Sequence, residues 1–211
     1  MNTGVIPLAS KVYAAAMAPL QSRLRKWQEV IAQRHGRNRA MVTHFRYMLA
    51  YRIGFCRGFE RINWPHVERL VFVCMGNICR SPYAEAVATG RRMSAVSAGL
   101  KPQVGACANP DAIRNADQRG VDLSGHIAKH IDDLNIGPGD LLVAMEPWQA
   151  QRLRRIDRVR SSMAQITLLG IWDSPGNPYI ADPFGCGDAY FQTCYSRIDS
   201  SIARILRQIG K

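Results

Sequence analysis

The sequence of 211 residues lacks the features that mark export, zinc binding and membrane insertion. Its six cysteines, at positions 56, 74, 79, 107, 186 and 194, form no Cys-x-x-Cys pair and no Cys/His spacing suited to zinc. The opening residues carry no early positive charge, and Lys11 and Pro19 break the first apolar runs before they reach the length of a secretory signal. A later apolar stretch, residues 41–56, is interrupted by Arg46 and Arg52 and falls short of the ~20 apolar residues a spanning helix needs. No internal repeat and no low-complexity tract is present. We therefore expect no transmembrane helix and a reducing, cytoplasmic setting, with peripheral attachment to a membrane as the closest approach to a bilayer.

Acidic residues are also scarce, and their scarcity is uneven. Of the net charge of +12, residues 1–69 hold 12 Lys/Arg against 3 acids, whereas residues 70–211 hold 16 against 13. Such an excess favours an anionic membrane surface or an acidic protein as partner of the front third. Nucleic acid is argued against by the absence of any recognised binding motif.

From Leu70 onward, short apolar runs alternate with helical patterns, which predicts βα units around a four-stranded parallel sheet flanked by helices. The predicted strands are 70–73, 95–98, 141–145 and 166–171. Helices are expected from near Ser81, over 110–119, over 147–155 and over 188–208, with Ile198, Ile202, Ile205 and Leu206 lining one face of the last. The stretch 172–187 reads as a loop, long enough in a compact domain to suggest function. The front third reads differently, as basic helices over 12–33, interrupted at Pro19, and over 44–59, with a break at 36–38.

The chemistry gathers around one segment. Cys74 ends the first strand, Met75, Gly76, Asn77, Ile78 and Cys79 form a loop of five residues, and Arg80, Ser81 and Pro82 open a helix. A loop of this length can curl around a phosphate with its N–H groups pointing inward, aided by the positive end of the helix. The same groups stabilise a thiolate, so Cys74 is expected to ionise easily and act as nucleophile. Arg80 supplies a planar fork for two phosphate oxygens, a geometry lysine cannot match. An acid must arrive from elsewhere to protonate the departing oxygen. Asp182, stiffened by Pro183 within the long loop, is the candidate, with Asp173 and Asp188 as competitors nearby. A buried structural role is the commoner fate of a cysteine, but the joint presence of Asn77, Arg80, Ser81 and Asp182 favours catalysis.

These residues resemble the low-molecular-weight protein tyrosine phosphatase family, in which Cys-x5-Arg-Ser-Pro opens the domain and an Asp-Pro pair lies near its end. The resemblance spans residues 69–211 and includes Ser97, Ala98 and Gly99 after the second strand, the segment from Gly120 to His126, and the run from Asp140 to Met145. It implies a flavodoxin-like fold and metal-free, cofactor-free hydrolysis of phosphotyrosine through a cysteinyl-phosphate. It also implies that Asn77 props the loop, that Ser81 helps keep the thiol ionised, that His126 belongs to the supporting network, and that Cys79 can guard Cys74 by a disulfide under oxidation. Partners implied are phosphotyrosine proteins, among them an autophosphorylating bacterial tyrosine kinase of polysaccharide export.

Departures from the family are equally visible. Phe184 and Gly185 follow the Asp-Pro pair where many relatives carry tyrosines, and residues 1–68 form a basic helical extension outside the usual pattern. The extension's simplest role is a helical hairpin packed on the 69–211 domain, with its cations on a solvated face. An arsenate reductase of the same fold is the nearer alternative, but it needs a cysteine pair after the second strand, where only Cys107 stands. The more distant one is a non-catalytic phosphopeptide-binding module held at a membrane.

Overall fold

The computed structural model describes residues 8–210, with side chains from residue 17 onward; the part of the expected extension that falls on residues 1–7 lies outside them. Four parallel strands form the sheet: β1 (Arg69–Cys74), β2 (Ala95–Gly99), β3 (Asp140–Ala144) and β4 (Gln165–Leu168), in the order β2-β1-β3-β4. Val71 of β1 sits opposite Val96 on one side and Leu142 on the other, and Leu142 sits opposite Ile166. Both faces are covered, which is why β1 and β3 read as continuous apolar runs. The two-residue alternation of a strand then splits each run between two cores. Leu70, Phe72, Leu141 and Val143 face one cluster, and Val71, Val73, Leu142 and Ala144 face the other.

The first face is covered by α3 (Arg80–Gly90), α4 (Pro110–Asp117) and α7 (Asp188–Ile209). On α7 the expected stripe of Ile198, Ile202, Ile205 and Leu206 is buried, extended by Tyr190, Phe191, Cys194 and Tyr195. The second face is covered by α5 (Pro147–Arg154) and the short α6 (Asp157–Ser161), which periodicity alone did not indicate. Strand order places β1 between β2 and β3, so the chain leaves β1 toward one side and returns on the other. A crevice opens at the carboxyl ends of strands where such a reversal occurs. Cys74 stands at that point.

Three expectations need correction. β4 stops at Leu168 and residues 169–172 form a 3-10 turn, because the chain folds back to let Asn177 N–H donate to Gly170 C=O at 2.8 Å. The second helix of the extension, α2 (Asn38–Arg52), starts earlier and ends earlier than the expected 44–59, since Gly54 takes a left-handed φ of +90°. Helix α1 (Leu8–His35) runs through Pro19 without a break. A proline in a helix interior removes one backbone donor and crowds the carbonyl four residues earlier, yet the helix continues on both sides of Pro19.

The segment after α2 is built into the second core. Cys56 and Phe59 are both buried there, Thr167 Oγ1 donates to Phe59 C=O at 2.7 Å, and the Arg154 guanidinium lies 3.8 Å above the Phe59 ring. Nearby, Asn63 and Gln165 exchange two hydrogen bonds, pinning the segment to β4. Phe59→Ala should therefore cost about 3 kcal/mol, the lower end for a buried phenylalanine. Urea unfolding of the full chain checks this. A loss under about 1 kcal/mol, the range of surface substitutions, would mean that Phe59 is not a core residue. Among the described residues, no helix is long and apolar enough to cross a membrane.

Candidate active site

Cys74 closes β1, and the loop after it curls because Asn77 adopts a left-handed backbone with φ +54°. Asparagine is among the few non-glycine residues that tolerate this conformation, and here its side chain is fully occupied. Asn77 Nδ2 donates to Ser81 Oγ at 2.9 Å and to Ser97 Oγ at 2.8 Å, while its Oδ1 accepts from Lys129 N–H at 2.9 Å. Ser97 in turn donates to Glu85 Oε2 at 2.6 Å. His126 Nε2 donates to Asn77 C=O at 2.7 Å, and burial holds the imidazole below its ordinary pKa, partly offset by that hydrogen bond. Strain at one residue is thus supported from β2, α3 and the loop after α4.

The loop aims donors at the sulfur. Asn77 N–H lies 3.2 Å from Cys74 Sγ and the Ser81 hydroxyl 3.0 Å. Both Cys74 and Cys79 are buried, and burial raises the Cys79 thiol well above its usual range, with the Asp182 carboxylate adding to the effect. All six cysteines are free thiols.

Arg80 is the first residue of α3 and is 1% exposed. Its Nη1 donates to Glu146 Oε1 at 2.7 Å and to Ile180 C=O at 2.8 Å, and its Nη2 pairs with Asp182 Oδ2 at 2.9 Å. Burial disfavours the charged guanidinium, but the Asp182 and Glu146 carboxylates outweigh it and keep Arg80 well above the ordinary arginine value. Nε alone has no hydrogen-bond partner among the described residues. Glu146, two residues past the end of β3, was not singled out in the sequence. Its place at the carboxyl end of a strand beside the crevice was the one available signal.

Of Asp173, Asp182 and Asp188, Asp182 is the one brought to Arg80. Asp173 is held by Arg197 at 2.9 Å, and Asp188 by Arg114 at 2.5 Å and Asn115 at 2.8 Å. The loop is tied down on both sides of Asp182: Ile180 N–H donates to Met145 C=O at 3.0 Å, and Phe184 N–H reaches Asp182 Oδ1 at 3.3 Å. Cys74, Met75, Gly76, Ile78, Cys79, Asp182 and Phe184 together line a cleft of about 200 Å³. Cys107, the one cysteine between β2 and β3, is exposed.

Comparison with known proteins agrees with this geometry. The family described as "Low molecular weight phosphotyrosine protein phosphatase" matches residues 69–211. The chain is 32% identical to the low molecular weight protein-tyrosine-phosphatase Wzb of Escherichia coli K12 over 136 residues, covering 64% of this chain and 90% of that one. It is likewise 32% identical to the human low molecular weight phosphotyrosine protein phosphatase over 145 residues, covering 62% and 88%. Among solved structures, the Erwinia amylovora tyrosine phosphatase AmsI superposes with a TM-score of 0.58 at 28% identity, over 69% of this chain and 95% of that one. A strand, a loop and a helix start alone would be weak grounds for kinship, but a match across the whole stretch from β1 to the end of α7 makes the chain a member of the low molecular weight phosphotyrosine protein phosphatase family.

Proposed function

We propose that the protein is a tyrosine phosphatase that hydrolyses phosphotyrosine on proteins through a cysteinyl-phosphate on Cys74. The observation that carries this reading is one small cleft lined by Cys74 and half-exposed Asp182, with buried Arg80 paired to Asp182 at 2.9 Å, whose walls include the apolar side chains of Met75, Ile78 and Phe184. Such walls suit an aromatic ring, with the phosphate seated at the bottom.

In this reading, phosphate oxygens take the loop N–H groups and the Nε and Nη2 donors of Arg80. Asp182 is thereby released from Nη2, while Glu146 and Ile180 C=O keep Nη1 in place. The Cys74 thiolate attacks phosphorus, the P–O bond to the phenol breaks, and Asp182 gives its proton to the leaving oxygen. Water then attacks the cysteinyl-phosphate, Asp182 takes a proton from that water, and the thiolate departs. Asn77, Ser81 and His126 hold the loop and perform no bond change. Cys79, kept protonated by burial, is assigned to guarding Cys74 under oxidation.

Turnover of a phosphotyrosine peptide in EDTA, beside a phosphoserine peptide, tests the proposal. Phosphate release from the first and little from the second is expected. A bound but unhydrolysed phosphotyrosine peptide would turn the site into a binding module. An autophosphorylated bacterial tyrosine kinase is the finer substrate proposal, supported by resemblance rather than by any contact in the cleft.

For residues 1–68 we propose contact with an anionic membrane surface, with the chemistry assigned to residues 69–211. On α1, Leu20, Leu24 and Trp27 are exposed along one stripe, and Arg23, Lys26 and Arg34 border a groove around Trp27. On α2, Val42, Phe45 and Leu49 are exposed in a second stripe, and Ile53 just past its end is exposed as well. Apolar stripes flanked by cations suit the interface of an anionic bilayer. The full chain should sediment with anionic vesicles, less so at raised salt and not with zwitterionic ones, and Trp27→Glu should weaken binding. Failure to bind anionic vesicles at low salt would remove the membrane reading.

A further inference from the structure

We propose that the turn between α1 and α2 is a positioning element for the Asp182 loop, acting through Arg37, so that the extension takes part in protonating the leaving group. The proposal rests on the assignment of Asp182 as the acid. Arg37, the residue before α2, has an extended backbone with φ −150° that throws its side chain away from the helix and across to the loop. Its Nη2 donates to Phe184 C=O at 2.6 Å. Phe184 N–H, in the same residue, faces Asp182 Oδ1 at 3.3 Å. One residue therefore links the guanidinium of the extension to the acid.

The fit between the two segments is close from both sides. Gly36 takes a left-handed φ of +75°, and a Cβ there would lie 2.8 Å from the Tyr190 ring and 2.9 Å from Cys186 Sγ. Gly185 takes φ +68°, and a Cβ there would lie 2.7 Å from Arg37 Nη2. Each segment carries a glycine where the other approaches, in a conformation other residues rarely adopt. Two further contacts brace the loop upstream of Asp182. Asn177 Nδ2 donates to His44 Nε2 at 3.0 Å, and the Tyr47 and Tyr179 rings meet at 5.5 Å. Burial, reinforced by Arg197, pushes His44 down to about 4 and so leaves its ring nitrogen neutral and able to accept.

The alternative is that these contacts only hold the hairpin on the domain. Leaving-group dependence separates the two, because only the step that releases the phenol needs the acid, and kcat/KM covers the reaction up to that release. A phosphotyrosine peptide has a poor leaving group that requires protonation; 2,4-dinitrophenyl phosphate has one that departs without it. Arg37 is exposed and its loss leaves no buried group unpaired, so Arg37→Ala is expected to fold. We expect kcat/KM of this variant to fall about tenfold on the peptide and less than about twofold on the dinitrophenyl ester, a fraction of what a correctly placed general acid supplies. Asp182→Asn should show the same selectivity with a larger loss on the peptide. Arg39→Ala, which removes the same charge from an exposed position two residues along, should match wild type on both substrates.

Equal losses of Arg37→Ala on both esters, or no loss on either, would overturn the positioning role while Asp182→Asn remains selective. Unselective behaviour of Asp182→Asn would overturn the acid assignment, and the role of Arg37 with it.

Discussion

Serine in place of Cys74 is expected to leave a folded protein that binds a phosphotyrosine peptide and does not turn it over. Cys74 is 3% exposed, and its sulfur sits against Asn77 N–H at 3.2 Å and the Ser81 hydroxyl at 3.0 Å. A serine oxygen occupies less space and can accept from the same donors, so neither packing nor the loop's curl is lost. What is lost is sulfur as the attacking atom, and among the described residues no general base adjoins residue 74 to activate a hydroxyl in its place. The fall in kcat should be roughly four orders of magnitude or more, the scale seen when a nucleophile is deleted from a site whose parts act together. Phosphate release together with calorimetric binding of the peptide makes the check. Turnover within about tenfold of wild type, less than a nucleophile's share, would remove Cys74 from the chemical step.

Arg80→Lys should be nearly as damaging, for a geometric reason. The guanidinium divides its donors: Nη1 is held by Glu146 and Ile180 C=O, Nη2 pairs with Asp182 of the cleft lining, and Nε has no partner among the described residues. An ammonium has no such fork, and whichever partner it keeps, another buried acceptor is left unpaired. Loss of charge stabilisation at the transferring phosphoryl group should lower kcat by about 10² to 10³. The unpaired acceptors should cost about 1–3 kcal/mol in urea unfolding. A variant with unchanged kcat and only a raised KM would restrict Arg80 to ground-state binding.

The loop proposed to bind phosphate could be picked out from sequence because its parts are contiguous. Strand, loop and helix start lie within residues 69–82, so Cys74, Asn77, Arg80 and Ser81 are near one another along the chain before any distant contact forms. Parallel strands were legible for a related reason: burial on both faces leaves an unbroken apolar run. Where the reading overran, at β4 and α2, a tertiary contact or a left-handed glycine ended an element whose apolar pattern continued. Asp182 was only partly legible. Asp173 shares its loop and Asp188 opens α7 just beyond it, and the choice among the three depends on Arg197 taking Asp173 and Arg114 taking Asp188.

The amino-acid order by itself pointed to Cys74 and Arg80 as candidates and determined the parallel sheet and the basic, helical character of the extension, because each is written in neighbouring residues or in a short period. Tertiary structure alone decided that Glu146 grips Arg80 across 66 residues and that Arg37 reaches Phe184 across 147. Contacts between such distant positions leave no periodicity, since what selects them is the packing of whole elements on the sheet, and that exists only once the chain has folded.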